Sequence, residues 1–150
     1  MTPLPYYCVV DASVGIKLIL DEPYTSLVRH YFGRLNDLPP VILYVPDLFF
    51  VECANILWKK VRRGEVTLVD SQLGMAGLNA LMLPTTSTAI LSERALALGS
   101  TFGISAYDAT SVALAERLGV SLLTADNRLA TALVNSPHQV IMLDAVAAID

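Results

Sequence analysis

At 150 residues and a net charge of −4, the chain has the size of one ordinary domain and lacks the basic excess of a protein that coats nucleic acid by bulk electrostatics. Hydrophobic residues make up 54% and mean hydropathy is +0.55, yet no run approaches the roughly 18 uninterrupted apolar residues of a membrane span. The surplus over the usual apolar share of about 45–50% predicts a surface that meets another protein, and a homodimer is expected, with the segments Tyr24–Leu35 and Leu48–Arg63 as its candidates and Tyr31, Phe32 and Trp58 either as contacts or as the chain's own core.

Met1 to Val10 carries no Lys or Arg, and its apolar run stops at Asp11, so no secretory signal is expected and the chain reads as cytoplasmic. β-rich runs recur at Tyr6–Val10, Ile42–Val45, Leu83–Thr86, Ser121–Thr124 and Gln139–Leu143. Between them lie segments of helical period: Ser13–Leu20, Tyr24–Leu35, Leu48–Arg63, Leu68–Leu81, Thr88–Leu98, Tyr107–Leu118 and Asn127–Leu133. No repeat or linker interrupts this alternation, which predicts a single α/β unit over residues 1–150 with a parallel sheet and crossover helices. Cys8 and Cys53 sit among apolar neighbours and are expected to be buried thiols.

Four acids stand at informative places. Asp11 follows the first strand and Asp126 the fourth, so both fall at the carboxyl edge of a parallel sheet, where open α/β sheets bind ligands. Asp108 lies in the first turn of its helix. Glu52 lies in the first half of another, with Asn55 on the same stripe, beside an apolar face formed by Phe49, Cys53, Ile56, Leu57 and Lys60. Singly, the Asp residues could be helix caps: Asp11 or Ser13, the pair Ser105 and Asp108, and Thr124 or Asp126 all suit that role. Capping gives no account of Glu52, and the joint pattern points to a site.

Carboxylates gathered without a counterion repel one another, and a divalent cation resolves the conflict. All-oxygen donors suit Mg²⁺ or Mn²⁺. His30 and His138 fall at no ligand spacing and are expected at the surface or in packing. Four of the ten basic residues, Lys59, Lys60, Arg62 and Arg63, follow Glu52 on its helix, where positive charge also suits the helix end.

The fragments Val9-Val10-Asp11-Ala12-Ser13, Phe50-Val51-Glu52-Cys53-Ala54-Asn55-Ile56-Leu57, Tyr107-Asp108-Ala109 and Leu123-Thr124-Ala125-Asp126-Asn127-Arg128-Leu129 resemble, in order and context, a PIN domain. The resemblance covers nearly the whole chain. It implies a three-layer α/β/α sandwich with a mainly parallel sheet, and in its short form it is similar to the VapC toxins of toxin-antitoxin modules. It further implies a metal-dependent endoribonuclease whose quartet falls on Asp11, Glu52, Asp108 and Asp126, with Ser13, Asn55 and Thr124 in support. An RNA substrate, an Mg²⁺ or Mn²⁺ cofactor and a small antitoxin partner follow from the same likeness. Asn127 stands where some relatives carry a further acid, which weakens the expectation of a fully occupied second metal site.

Rival readings fit less well. A receiver domain wants an acidic pair after the first strand and a late Lys, but Asp11 follows Val9-Val10 and no Lys occurs beyond Lys60. A D-x-D phosphatase wants Asp where Ser13 stands. Two alternatives stay open: a noncatalytic PIN-fold interaction module, for which loss of one or more acids would be the sign although all four are present, and a housekeeping RNA-processing nuclease that needs no antitoxin.

Overall fold

The computed structural model describes residues 2–146. The elements follow in the order β1 (Tyr7–Val10), α1 (Ala12–Gly15), α2 (Thr25–Gly33), β2 (Ile42–Pro46), α3 (Leu48–Arg62), α4 (Leu68–Ala80), β3 (Thr85–Thr86), α5 (Thr88–Phe102), α6 (Ala106–Leu118), β4 (Ser121–Thr124), α7 (Asn127–Ala132) and β5 (Val140–Met142). Short 3-10 turns follow α1, α2 and β5. The strands form one all-parallel sheet in the order β3-β2-β1-β4-β5.

β1 is central, so both of its faces must be covered, which is why it reads as a continuous apolar run. Cys8 and Val10 enter one core with Leu43, Val45, Leu123, Phe49 and Cys53. Val9, pointing the other way, enters a second core with Leu122, Leu91, Leu98, Val112 and Leu114. Helices α1 to α4 supply the first layer and α5 to α7 the second, and the result is the expected three-layer α/β/α sandwich. Each fully buried Val, Leu or Phe contributes about 1.5–3 kcal/mol of transfer free energy, so the two cores hold the central strand from both sides.

Several boundaries differ from expectation, each for a local reason. The segment Ser13–Leu20 is one turn of α-helix that tightens into a 3-10 turn over Ile16–Leu18. β3 is only two residues long because Pro84 has no N–H; its carbonyl accepts from Val45 N at 3.1 Å, but it cannot donate to a ladder. α5 runs past Gly99 to Phe102. Gly99 serves close packing rather than termination, since a Cβ there would come within 2.8 Å of the Ile104 carbonyl oxygen. The stop comes at Gly103, whose φ of 67° suits a residue without a side chain.

Tyr31 and Phe32, considered from sequence as dimer contacts, belong to the chain's own core. The Tyr31 hydroxyl explains why so large a group is tolerated there: it donates to the Pro5 carbonyl and contacts Cys8 Sγ at 3.4 Å. Trp58, the third candidate, is 52% exposed. Cys8 and Cys53 are free and buried as expected, and burial pushes their thiols up to about 11 and about 12. Among the described residues, no helix is long and apolar enough to cross a membrane.

Candidate active site

The sheet order changes direction between β1 and β4, and the crevice over the carboxyl ends of those two strands is the natural binding position of such a fold. Asp11 comes directly after β1 and Thr124 ends β4. Asp11 caps α1 by accepting from Ser13 N at 3.1 Å. Its Oδ1 also accepts from Ser13 Oγ and its Oδ2 from Thr124 Oγ1, both at 2.5 Å. Both hydroxyls are themselves aimed by backbone: Ala125 N donates to Ser13 Oγ at 2.9 Å, and Asp126 N donates to Thr124 Oγ1 at 3.0 Å. Each hydroxyl proton is thereby committed to one oxygen of Asp11, so the carboxylate plane is fixed.

Asp126 caps α7 through Oδ1, which accepts from Arg128 N at 2.8 Å and Leu129 N at 3.3 Å. Asp108 lies in the first turn of α6, whose cap is Ser105: its Oγ accepts from Asp108 N at 3.1 Å. The expected capping box is therefore only half formed, because the Asp108 carboxylate does not return a bond to the Ser105 amide. Glu52 reaches the same space from α3. Asp47, given no role from sequence, anchors that helix by accepting from Thr88 N at 2.9 Å at the start of α5, while Leu48 N donates to Thr88 Oγ1 at 3.3 Å.

Electrostatics show that the four acids share one environment. Burial, with the Asp126 charge adding to it, pushes the Asp11 carboxyl up to about 6 against the pull of its hydroxyl donors. Burial and then the charges of Asp108 and Asp11 push Glu52 up to about 7. Asp108 is raised by burial and by Asp126. Among the described residues, no Lys, Arg or His lies within ion-pair distance of any of the four. Glu52, Asp108 and Asn55 line one groove of about 500 Å³, with Ser105 and the 67% exposed Tyr107 on its α6 side.

The donor set fits a hard divalent cation, since all donors are oxygens, three carboxylates are raised above their ordinary range, and no cationic side chain among the described residues pairs with them. Among the described residues, no three His, Cys, Asp or Glu side chains stand close enough to enclose an ion as they lie. His30 is exposed on α2. His138 packs edge-on against Phe102 and lies 3.7 Å from Glu116, away from the acids.

Sequence reasoning assigned Ser13 and Thr124 to support without predicting their pairing with opposite oxygens of one carboxylate. It did not single out Tyr107 beyond its place beside Asp108; that an aromatic residue in a first helical turn stays exposed was the available signal.

An all-parallel three-layer domain with acids drawn together at its switch point is one of a recognisable class. The chain belongs to the PIN-domain family, whose model matches residues 8–132. It is 34% identical over 124 residues to ribonuclease VapC3 of Pyrobaculum aerophilum, covering 81% of this chain and 91% of that protein. Two solved structures share the fold. The protein PAE2754 of Pyrobaculum aerophilum superposes with a TM-score of 0.65 at 22% identity, covering 92% of this chain and 83% of its own. VapC20 of Mycobacterium tuberculosis, described as a sarcin-ricin loop cleaving toxin, superposes with a TM-score of 0.60 at 17% identity, covering 83% and 94%.

Proposed function

We propose that the chain is a Mg²⁺- or Mn²⁺-dependent endoribonuclease of the VapC toxin kind, working in the cytoplasm with Asp11, Glu52, Asp108 and Asp126 as its cation-holding and catalytic acids. The observation that carries the reading is the Asp11 carboxylate, locked by Ser13 and Thr124 and coupled electrostatically to Asp126 and Glu52, with no Lys, Arg or His within ion-pair distance among the described residues. The likeness to ribonuclease VapC3 supports RNA as the substrate.

A bound divalent cation would supply the positive charge that makes a water nucleophilic and stabilises the charge developing on the phosphodiester oxygens. The chain's own contribution is position. Ser13 and Thr124 hold the Asp11 plane, so that its remaining lone pairs keep one direction through the reaction. Asp126 gives Oδ1 to the α7 amides and keeps Oδ2 for the site. Glu52, on α3, carries a carboxyl that burial and the neighbouring acids push up to about 7, and a bound cation would favour its ionised form. Asn55, in the same groove, offers an amide for hydrogen bonding to substrate or to a neighbouring acid.

A ribonuclease of this kind calls for restraint, and we assign it a small antitoxin partner and a homodimeric state. Expression of the chain alone is expected to arrest growth, and Asp11→Asn or co-expression of the antitoxin gene beside it is expected to restore it. Normal growth with confirmed full-length expression would remove the toxin role.

A further inference from the structure

On α3, Glu52, Asn55, Lys59 and Arg62 recur at intervals of three and four and so lie along one side of the helix, spanning about 15 Å at 1.5 Å per residue. The groove containing Glu52 and Asn55 occupies the first half of this side. A second cleft of about 380 Å³, lined by Trp58, Lys59, Arg62 and Arg63, occupies the last turns. Lys60 and Arg63 are engaged by Glu65, at 2.9 and 3.5 Å. Among the described residues, Lys59 and Arg62 meet no carboxylate, and the Arg62 guanidinium lies over the Trp58 ring at 4.9 Å.

The helix dipole accounts for positive charge in a last turn. It does not account for an indole left half exposed under an arginine, nor for the alignment of the two free cations with Glu52. We propose that this side of α3 is a track for single-stranded RNA leading out of the acid site, with Lys59 and Arg62 on successive phosphates and the Trp58–Arg62 pair as a stacking platform for an unpaired base. The proposal rests on the ribonuclease reading and names its substrate class. Charge complementarity favours a polyanion on a chain otherwise negative, and an exposed aromatic face capped by a planar cation suits a base splayed from a loop rather than one stacked in a duplex. Tyr107 at the opposite lip of the groove provides a second exposed ring.

Trp58 is the chain's one tryptophan, so its fluorescence reports on the surroundings of this ring, which borders the cationic cleft on one side and an apolar cleft with Leu57, Val61 and Leu68 on the other. The test is titration of full-length Asp11→Asn protein, in Mg²⁺, with a short unstructured oligoribonucleotide, following Trp58 emission and the anisotropy of labelled RNA at several salt concentrations. The expected result is quenching at saturation and a salt slope that flattens by about 1.4 when Lys59→Ala and Arg62→Ala are combined, at about 0.7 per phosphate contact on a single strand. At about 0.1 M salt, that combination should weaken binding on the order of 20-fold. Arg117→Ala, an exposed cation at the far end of α6 from Asp108, should bind as the parent does. Absence of RNA binding, unmoved emission at saturation, an unchanged slope in the double variant, or equal quenching by polyglutamate would each overturn the track. The unsubstituted chain separates this from the parent reading: RNA cleavage with an unchanged KM in the double variant removes the track and keeps the nuclease, whereas quenching by RNA in a chain that cleaves none removes the nuclease.

Discussion

Thr124 donates its hydroxyl to Asp11 Oδ2 at 2.5 Å, joining the ends of β4 and β1 across 113 residues of sequence, and its oxygen accepts the Asp126 amide in turn. Its side chain is fully buried, so both bonds are made away from competing water. Thr124→Val keeps the shape and removes both. The expected cost is about 1–3 kcal/mol of stability, the range for leaving buried polar partners unsatisfied. The Asp11 carboxyl should move further above about 6, carrying the acid limb of any cleavage profile upward. Thr124→Ser should restore most of both, as urea denaturation and a pH–rate profile would show.

The raised carboxyls make a prediction about pH. Asp11 titrates near 6 and Glu52 near 7 in the folded chain, against ordinary values of 3.8 and 4.5. Between those limits the folded chain binds more protons than the unfolded one, so stability falls as pH rises. The contribution is fully present below the ordinary carboxylate range and is lost as pH passes through about 6 and then about 7. Each group adds a slope of at most about 1.4 kcal/mol per pH unit. Urea midpoints in EDTA should therefore fall from about pH 5 to about pH 8, and Glu52→Gln should flatten the decline. Added Mg²⁺ should restore stability most at the alkaline end. A midpoint that rises over this interval in EDTA would contradict the assignment of burial as the dominant cause.

Gly15 couples the acid-bearing elements mechanically. A Cβ at this position would stand 2.4 Å from the Phe49 ring, which is buried and packed edge-on against Phe50. Gly15→Ala is therefore expected to force α1 away from α3 and cost about 1–3 kcal/mol by overpacking. Because α1 carries the Asp11 and Ser13 cap and α3 carries Glu52, RNA cleavage should fall more than stability alone explains. Activity normalised to folded protein would show whether it does.

Much of this arrangement was legible in the chain. Val9-Val10-Asp11 announces a central strand ending in an acid, and the strand-helix alternation gives the parallel sheet. The competing readings of the acids as caps and as site residues turn out not to exclude each other: Asp11 and Asp126 both cap helices, and the Asp126 charge helps to raise the Asp11 and Asp108 carboxyls. Where local pattern ran out, the missing information was tertiary. Periodicity marked Tyr31 and Phe32 as apolar-facing but could not say whether the surface opposite was the chain's own core. The Ala125 and Asp126 amides that aim the two hydroxyls reach Asp11 only because β1 and β4 are neighbours in the sheet.

The proposed dimer has its own test. Light scattering at micromolar concentration is expected to give twice the 16.2 kDa chain mass. A single-chain mass would leave the apolar surplus to the antitoxin alone.

The most direct measurement of the central claim pairs RNA cleavage with thermal melting for the unsubstituted chain, Asp11→Asn and Asp108→Asn, each in Mg²⁺ and in EDTA. The account predicts cleavage by the unsubstituted chain in Mg²⁺ only. Neither variant is expected to cleave, with melting temperatures in EDTA equal to or above the parent's, because an amide at position 11 still caps α1, Ser105 still caps α6, and both substitutions relieve repulsion. Folded variants that cleave RNA as the parent does, or a parent that cleaves equally well in EDTA, would contradict it.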